Sequence, residues 1–221
     1  MHSKNQKPHK GAGMEGWVAR WYTRTRRNDM DDFRRQAQAV AEQLRTGSNV
    51  LEVAPGPGFF AIELAKLGDF RITGLDISRT FVNMAAKKAA EAGVRVNFTQ
   101  GSASNMPFPR DSFDFLLCRA AFKNFAKPVS ALQEMCRVLK PGGRGLIIDL
   151  KRDANPGEIS RHVDAMGLST VNRVLTKLAF RTMLLKSAYS KEQFERMLEQ
   201  ARFSGVQVNE SGIGLEVWMT K

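Results

Sequence analysis

Apolar and polar positions change period along this chain, and the changes mark its elements. Between Asp31 and Arg45 the residues Phe33, Ala37, Val40, Ala41 and Leu44 recur at helical spacing, which predicts an amphipathic helix. From Asn49 short apolar runs take over. Val50-Leu51-Glu52-Val53 reads as a strand, Arg71 to Leu75 as a second, and alternating Val94, Val96 and Phe98 as a third. Phe113 to Leu117 is a fourth and Leu146-Ile147-Ile148 a fifth. Helices are predicted between them: Gly58 to Leu67, Ser78 to Ala92 with Ser78 at the N-cap, and a segment through Val129, Leu132, Cys136 and Leu139 that Pro141-Gly142-Gly143 ends. Strands alternating with such helices describe a parallel sheet covered on both faces, an α/β fold.

After the fifth strand the alternation stops. Residues 153–186 read as helical, with Val171, Val174, Leu175, Leu178 and Thr182 on one face. Arg173, Lys177 and Arg181 lie on another face, expected to be solvated. Ser190 and Gln193 form a capping box that starts a helix through Phe194, Met197, Leu198 and Ala201. Val206–Asn209 and Ile213–Met219, around Glu210-Ser211-Gly212, predict a closing hairpin. The expected organisation is a disordered basic tail at 1–13, an N-terminal helical arm at 14–48, a core of 49–152 and 187–221, and a helical lid insert at 153–186.

Composition narrows the class. The chain has 221 residues, 43% hydrophobic and 25% charged, enough for a packed core. No apolar run reaches the ~18 residues of a membrane span, and the polar start does not resemble a secretory signal. Two cysteines, Cys118 and Cys136, supply neither a disulfide framework nor a zinc site, so a reducing, cytoplasmic setting without metal is expected. The net charge of +12 is spread out: residues 1–48 carry +5, 49–150 +4, 151–202 +4 and the remainder −1. Dedicated nucleic-acid proteins concentrate such charge, so it points only weakly to RNA.

The stretch with chemical content is Glu52-Val53-Ala54-Pro55-Gly56-Pro57-Gly58, a strand running through a glycine turn into a helix start. Glycines there let a ligand approach the backbone, and helix-start amides face it. A side chain in place of Gly58 is expected to obstruct that approach while the chain stays folded. Asp76 ends the second strand, where a carboxylate can accept hydrogen bonds from ribose hydroxyls. These features point to an adenosine cofactor but leave its identity open. Gly56-x-Gly58-x-x-Ala61 also satisfies a relaxed dinucleotide fingerprint.

Further motifs follow in order: Gly101-Ser102-Ala103-Ser104-Asn105-Met106-Pro107, Ser112-Phe113-Asp114-Phe115-Leu116-Leu117, and Glu134-x-x-Arg137-Val138-Leu139-Lys140-Pro141-Gly142-Gly143. Together with Glu52-x-x-x-Gly56-x-Gly58 they resemble the class I S-adenosylmethionine-dependent methyltransferases, type 11, over residues 49–150. The resemblance implies a Rossmann-like, doubly wound, mostly parallel seven-stranded sheet with a C-terminal antiparallel strand. It implies S-adenosylmethionine as cofactor, S-adenosylhomocysteine as product, and no metal. It also implies roles. Ala54, Gly56 and Gly58 would line the methionine and ribose portion, and Glu52 would position the loop and reach the cofactor amino group. Asp76 would bind the ribose, Ile77 would lie against adenine, and Ser102 and Ala103 would address its edge. Arg119 and Tyr22 would lie near the methionine end. The chain departs from the family pattern at Ala54, where a third glycine is frequent, at Ser102, where Asp is frequent, and at Lys123-Asn124, where histidines are frequent.

The acceptor pocket is expected under the arm, with Trp17, Trp21 and Tyr22, and the insert, with Met166, Leu168, Phe180, Met183 and Leu184. Phe122, Lys123 and Met183 are its candidate substrate contacts. His162 and Tyr189 are candidate proton acceptors, and Cys118 reads as an ordinary buried thiol. A small, apolar or aromatic acceptor follows. RNA methylation and a non-catalytic cofactor-binding module are the alternatives, and no hydride-transfer motif is visible.

Overall fold

The computed structural model describes residues 14–25, 29–166, 170–180 and 184–221. The expected tail at 1–13 and the residues Leu168, Arg181, Thr182 and Met183 lie outside the described residues.

Seven strands form one sheet: β1 Asn49–Val53, β2 Arg71–Asp76, β3 Asn97–Gln100, β4 Phe113–Arg119, β5 Leu139–Leu150, β6 Gly205–Ser211 and β7 Gly214–Thr220. Their order is β3-β2-β1-β4-β5-β7-β6. The strands β1 to β5 pair in parallel, and β7 runs antiparallel to both β5 and β6. Among the described residues eight α-helices pack around it: α1 Gly16–Thr25, α2 Met30–Ala41, α3 Phe59–Ala65, α4 Arg79–Glu91, α5 Pro128–Val138, α6 Pro156–Asp164, α7 Thr170–Ala179 and α8 Lys191–Leu198.

Successive strand residues serve opposite faces. Val50, Ile72, Phe115 and Leu117 meet Phe33, Ala37 and Val40 of α2 and Phe60 and Leu64 of α3. Leu51, Val53, Leu116 and Ile147 meet Leu132 and Met135 of α5 and Phe194 and Leu198 of α8. Each such buried Leu or Phe contributes about 1.5–3 kcal/mol. The insert has a small core of its own: Ile159, Val163, Phe180 and Leu185, packed with Ala154 and Ile213.

Two boundaries differ from the sequence pattern. The strand β3 starts at Asn97, because the Val94 N–H bonds the Ala89 carbonyl and closes α4 instead. The strand β5 starts at Leu139, opposite Phe113, and its next partner pair is Phe115 with Arg144. Pro141-Gly142-Gly143 is therefore absorbed as a bulge within β5 rather than standing between helix and strand. Both predicted caps are present: Ser78 accepts from the Phe81 N–H, and Ser190 and Gln193 form the capping box.

The chain leaves β1 toward β2 on one side and returns to β4 on the other. Such a switch point opens a crevice at the carboxyl ends of the strands, where α/β sheets bind ligands. Among the described residues no helix is long and apolar enough to cross a membrane.

Candidate cofactor and acceptor site

At the tip of β1 the backbone turns sharply. Ala54, Gly56 and Gly58 all have positive φ, at 58°, 56° and 78°. Glycine adopts this region without strain, whereas Ala54 carries a Cβ there. Two buried carboxylates hold the turn. Asp76 accepts the Gly56 N–H at 2.9 Å through one oxygen and the Ser78 N–H at 2.8 Å through the other. Glu52 accepts the Ala61 N–H at 3.1 Å, which ties β1 to the first turn of α3. Burial raises both pKa values. Glu52 is pushed up to about 8, mainly by loss of solvent, with the charge of Asp76 adding to it and Arg119 opposing it.

The two glycines face different surroundings. A Cβ on Gly56 would meet nothing nearer than Tyr22 Cε1 at 4.0 Å, so this side of the turn is open beneath the arm. A Cβ on Gly58 would meet Ala85 Cβ at 2.8 Å and Phe98 Cζ at 2.9 Å. Gly58 is therefore set by packing against α4 and β3, which corrects the expectation that a side chain there obstructs a ligand and leaves the fold intact.

The arm lies over the start of α4. Ser78 donates its hydroxyl to the Met14 carbonyl at 2.7 Å, and Glu15 accepts the N–H groups of Arg79 at 3.0 Å and Thr80 at 3.1 Å. Two orphan amides of the helix start are thus satisfied by the arm. Tyr22 meets the Phe81 ring edge-on at 5.9 Å. Trp17 and Trp21 are exposed. Ala19 and Thr23 are the buried residues of α1.

Along the crevice, Ile77 is half-buried and its carbonyl accepts from Gln100. Ser102 and Ala103 are half-buried in a turn whose Ser102 and Ser104 hydroxyls lie 3.0 Å apart. A clamp from α5 holds the continuation of this turn. Glu134 accepts the Met106 N–H at 2.7 Å, and Arg137 donates to the carbonyls of Phe108 and Met106 at 2.8 and 3.1 Å while pairing with Glu134 at 2.6 Å.

At the end of β4, Arg119 pairs with Asp32 of α2 and stacks over Phe33 at 4.3 Å. Cys118 is fully buried, and burial raises its thiol pKa well above the ordinary value, so it stays protonated. Phe122 is wholly inside the core against Phe194 at 4.8 Å, with Phe125 and Tyr189 around it. Lys123 is buried, with Nζ 2.8 Å from Asp149 Oδ1 and 2.8 Å from the Ala120 carbonyl, and Asp149 also accepts the Lys123 N–H at 2.9 Å. The His162 ring meets Phe180 edge-on, and its pKa is lowered by burial. On the insert side a groove of about 730 Å³ is lined by Arg152, Ala154, Pro156, Ile159, Leu185 and Lys186.

Sequence reasoning missed Glu15, Asp32 and Asp149 as supports. Only Asp149 had a visible signal, an acid directly after the apolar run Leu146-Ile147-Ile148. Glu134 and Arg137 were visible as a motif, but their task as a clamp was not.

Residues 51–147 match the family model described as a methyltransferase domain. Over these residues the chain carries a methyltransferase domain with the class I S-adenosylmethionine-dependent methyltransferase fold. Among curated relatives of this chain, a demethylmenaquinone methyltransferase of Deinococcus radiodurans is 36% identical over 122 residues, 55% of this chain and 51% of the relative. An uncharacterized methyltransferase of Bacillus subtilis is 38% identical over 108 residues, 48% of this chain and 42% of the relative. The chain thus spans about half the length of the curated relatives it matches. A solved structure, a putative S-adenosylmethionine-dependent methyltransferase of Methanococcus maripaludis, shares the fold with a TM-score of 0.78 at 20% identity, covering 100% of this chain and 97% of that one.

Proposed function

We propose that this chain transfers a methyl group from S-adenosylmethionine to a small acceptor of apolar or aromatic character. The observation that carries the reading is the convergence of Glu52, Gly56 and Asp76 on one turn at the switch point, with an open side toward Tyr22. The residues fit an adenosyl group. Asp76 has oxygen lone pairs left beyond its two backbone bonds, and these accept from ribose hydroxyls. Glu52 supports the turn beside the methionine amino group, Ile77 lies along adenine, and Ser102 and Ala103 meet its edge. Ala54 and Gly58 shape the turn, and Tyr22 covers its open side.

The cofactor supplies a methyl group already activated on a sulfonium, so the protein's task is alignment and exclusion of water. Lys123 is neutralised by Asp149 and Arg119 is paired with Asp32, so neither presents an uncompensated cation. This favours an uncharged acceptor. Cys118 stays protonated and does not serve as a nucleophile. Relatives named for demethylmenaquinone methylation agree with an aromatic acceptor.

Two measurements test the reading. Calorimetric titration should show binding of S-adenosylmethionine and S-adenosylhomocysteine in preference to nicotinamide dinucleotides. Isotope-labelled methyl donor offered with a metabolite extract should then label a small apolar product. Tighter binding of a dinucleotide, or label appearing in RNA alone, would reject it.

A further inference from the structure

Two helices expose large apolar side chains to solvent. In α1 the buried residues are Ala19 and Thr23, whereas Trp17, Arg20, Trp21 and Arg24 form an exposed stripe at i, i+3, i+4 and i+7. Trp17 is 73% and Trp21 60% exposed. In α7 the partly exposed Arg173 and Lys177 lean toward α6 and reach Asp164 at 3.7 and 3.0 Å. Val174 and Leu175 turn outward at 62% and 57% exposure. Of the stripe expected to be solvated, Arg173 and Lys177 are partly exposed, and Arg181 lies outside the described residues. A helix settled between core and water buries its large apolar side chains and exposes its charges.

Both helices stand at the carboxyl-end rim of the sheet. The preceding Met14 and Glu15 bind α1 to the start of α4, just after β2 ends, and α6 and α7 follow the end of β5. His162 of α6 feels the charges of Asp29 and Asp32 at the start of α2.

We propose that this rim docks on the surface of an anionic lipid bilayer, with Trp17, Trp21, Val174 and Leu175 entering the headgroup zone and Arg20 and Arg24 meeting lipid phosphates. Tryptophan with its amphipathic ring, interleaved with cations, suits that boundary. The net charge of +12 complements an anionic surface and opposes a second copy of the chain. A nucleic acid would use the arginines but gains nothing from outward Val174 and Leu175. The proposal is independent of methyl transfer, and its test needs no methyl donor.

The test is sedimentation of the full chain with phosphatidylcholine vesicles, with and without phosphatidylglycerol, and with brominated lipid as a fluorescence quencher. The chain has three tryptophans, so Trp17 and Trp21 dominate the emission change. Anionic vesicles should retain the protein and quench it, and salt should weaken retention. Trp17→Ser with Trp21→Ser, and separately Val174→Ser with Leu175→Ser, should each lower partitioning at least about tenfold without lowering the melting temperature. Val206→Ser, an exposed apolar site on β6, should leave it unchanged. The proposal falls if anionic vesicles do not retain the chain, if both double variants bind as well as the parent, or if the variants instead dissolve a dimer seen by ultracentrifugation.

Discussion

The carboxylate of Asp76 accepts the backbone N–H of Gly56 at 2.9 Å, so the acid that ends β2 also braces the turn that leaves β1. Its other oxygen accepts the Ser78 N–H at the start of α4. One side chain therefore joins three elements at the crevice. Removing it strands two backbone donors as well as any ribose contact.

Asp76→Ala should weaken S-adenosylmethionine binding by about 1.5–3 kcal/mol and lower folding stability by about 1–3 kcal/mol. Titration calorimetry reads the first and urea denaturation the second. Unchanged affinity in a folded variant would discard the ribose assignment.

Gly58→Val should destabilise the fold by about 2–4 kcal/mol, because φ at 78° and contacts under 3.0 Å with Ala85 and Phe98 leave no room for a side chain. Gly56→Ala should cost only about 1 kcal/mol for its backbone conformation, since its side is open, while reducing cofactor affinity. Thermal melts alongside titrations separate the two. A Gly58→Val protein that melts like the parent would refute the packing role.

Ala54→Gly should relieve the left-handed strain at φ 58° and stabilise the fold by about 1 kcal/mol or less, the entropy of the added glycine offsetting part of the gain. Chemical denaturation of the pair would show it. A loss of stability would mean that the alanine methyl makes packing contacts worth more than the strain.

Glu52 links stability to pH. Its folded pKa of about 8 lies above the unfolded value, so the folded state holds an extra proton between about pH 4.5 and pH 8. That contribution is full below the unfolded pKa and is lost as pH rises through the folded one. Relative to Glu52→Gln, the parent should lose on the order of 3 kcal/mol of stability between pH 5 and pH 8. Parallel pH–stability curves for the two proteins would show that the carboxyl titrates normally.

Lys123→Met should destabilise the chain by about 3–5 kcal/mol, because it leaves the buried Asp149 carboxylate without its cation. Combining it with Asp149→Leu should recover part of the loss. A double-mutant cycle by urea denaturation measures the coupling, and strict additivity would argue against the pair.

Much of this architecture was legible before any coordinates. The alternation of apolar runs and helical stripes fixes neighbouring side chains to opposite faces of strands, so the α/β sheet, the caps at Ser78 and Ser190 and the closing hairpin follow from local periodicity. The glycine turn and the acids at 52 and 76 stand out because their chemistry is local to a few residues. Periodicity also groups Trp17 with Trp21, and Arg173 with Lys177, on common stripes, but it does not say which stripe is covered. That choice depends on what packs opposite: Phe81 against Tyr22, Asp164 against Arg173 and Lys177, Ala85 and Phe98 against Gly58, Asp32 against Arg119. These partners lie far apart in the chain or on separate elements, and only tertiary packing brings them together. The sequence alone determined the sheet and the glycine turn with its two acids, and the three-dimensional structure decided which faces of the arm and insert turn to solvent.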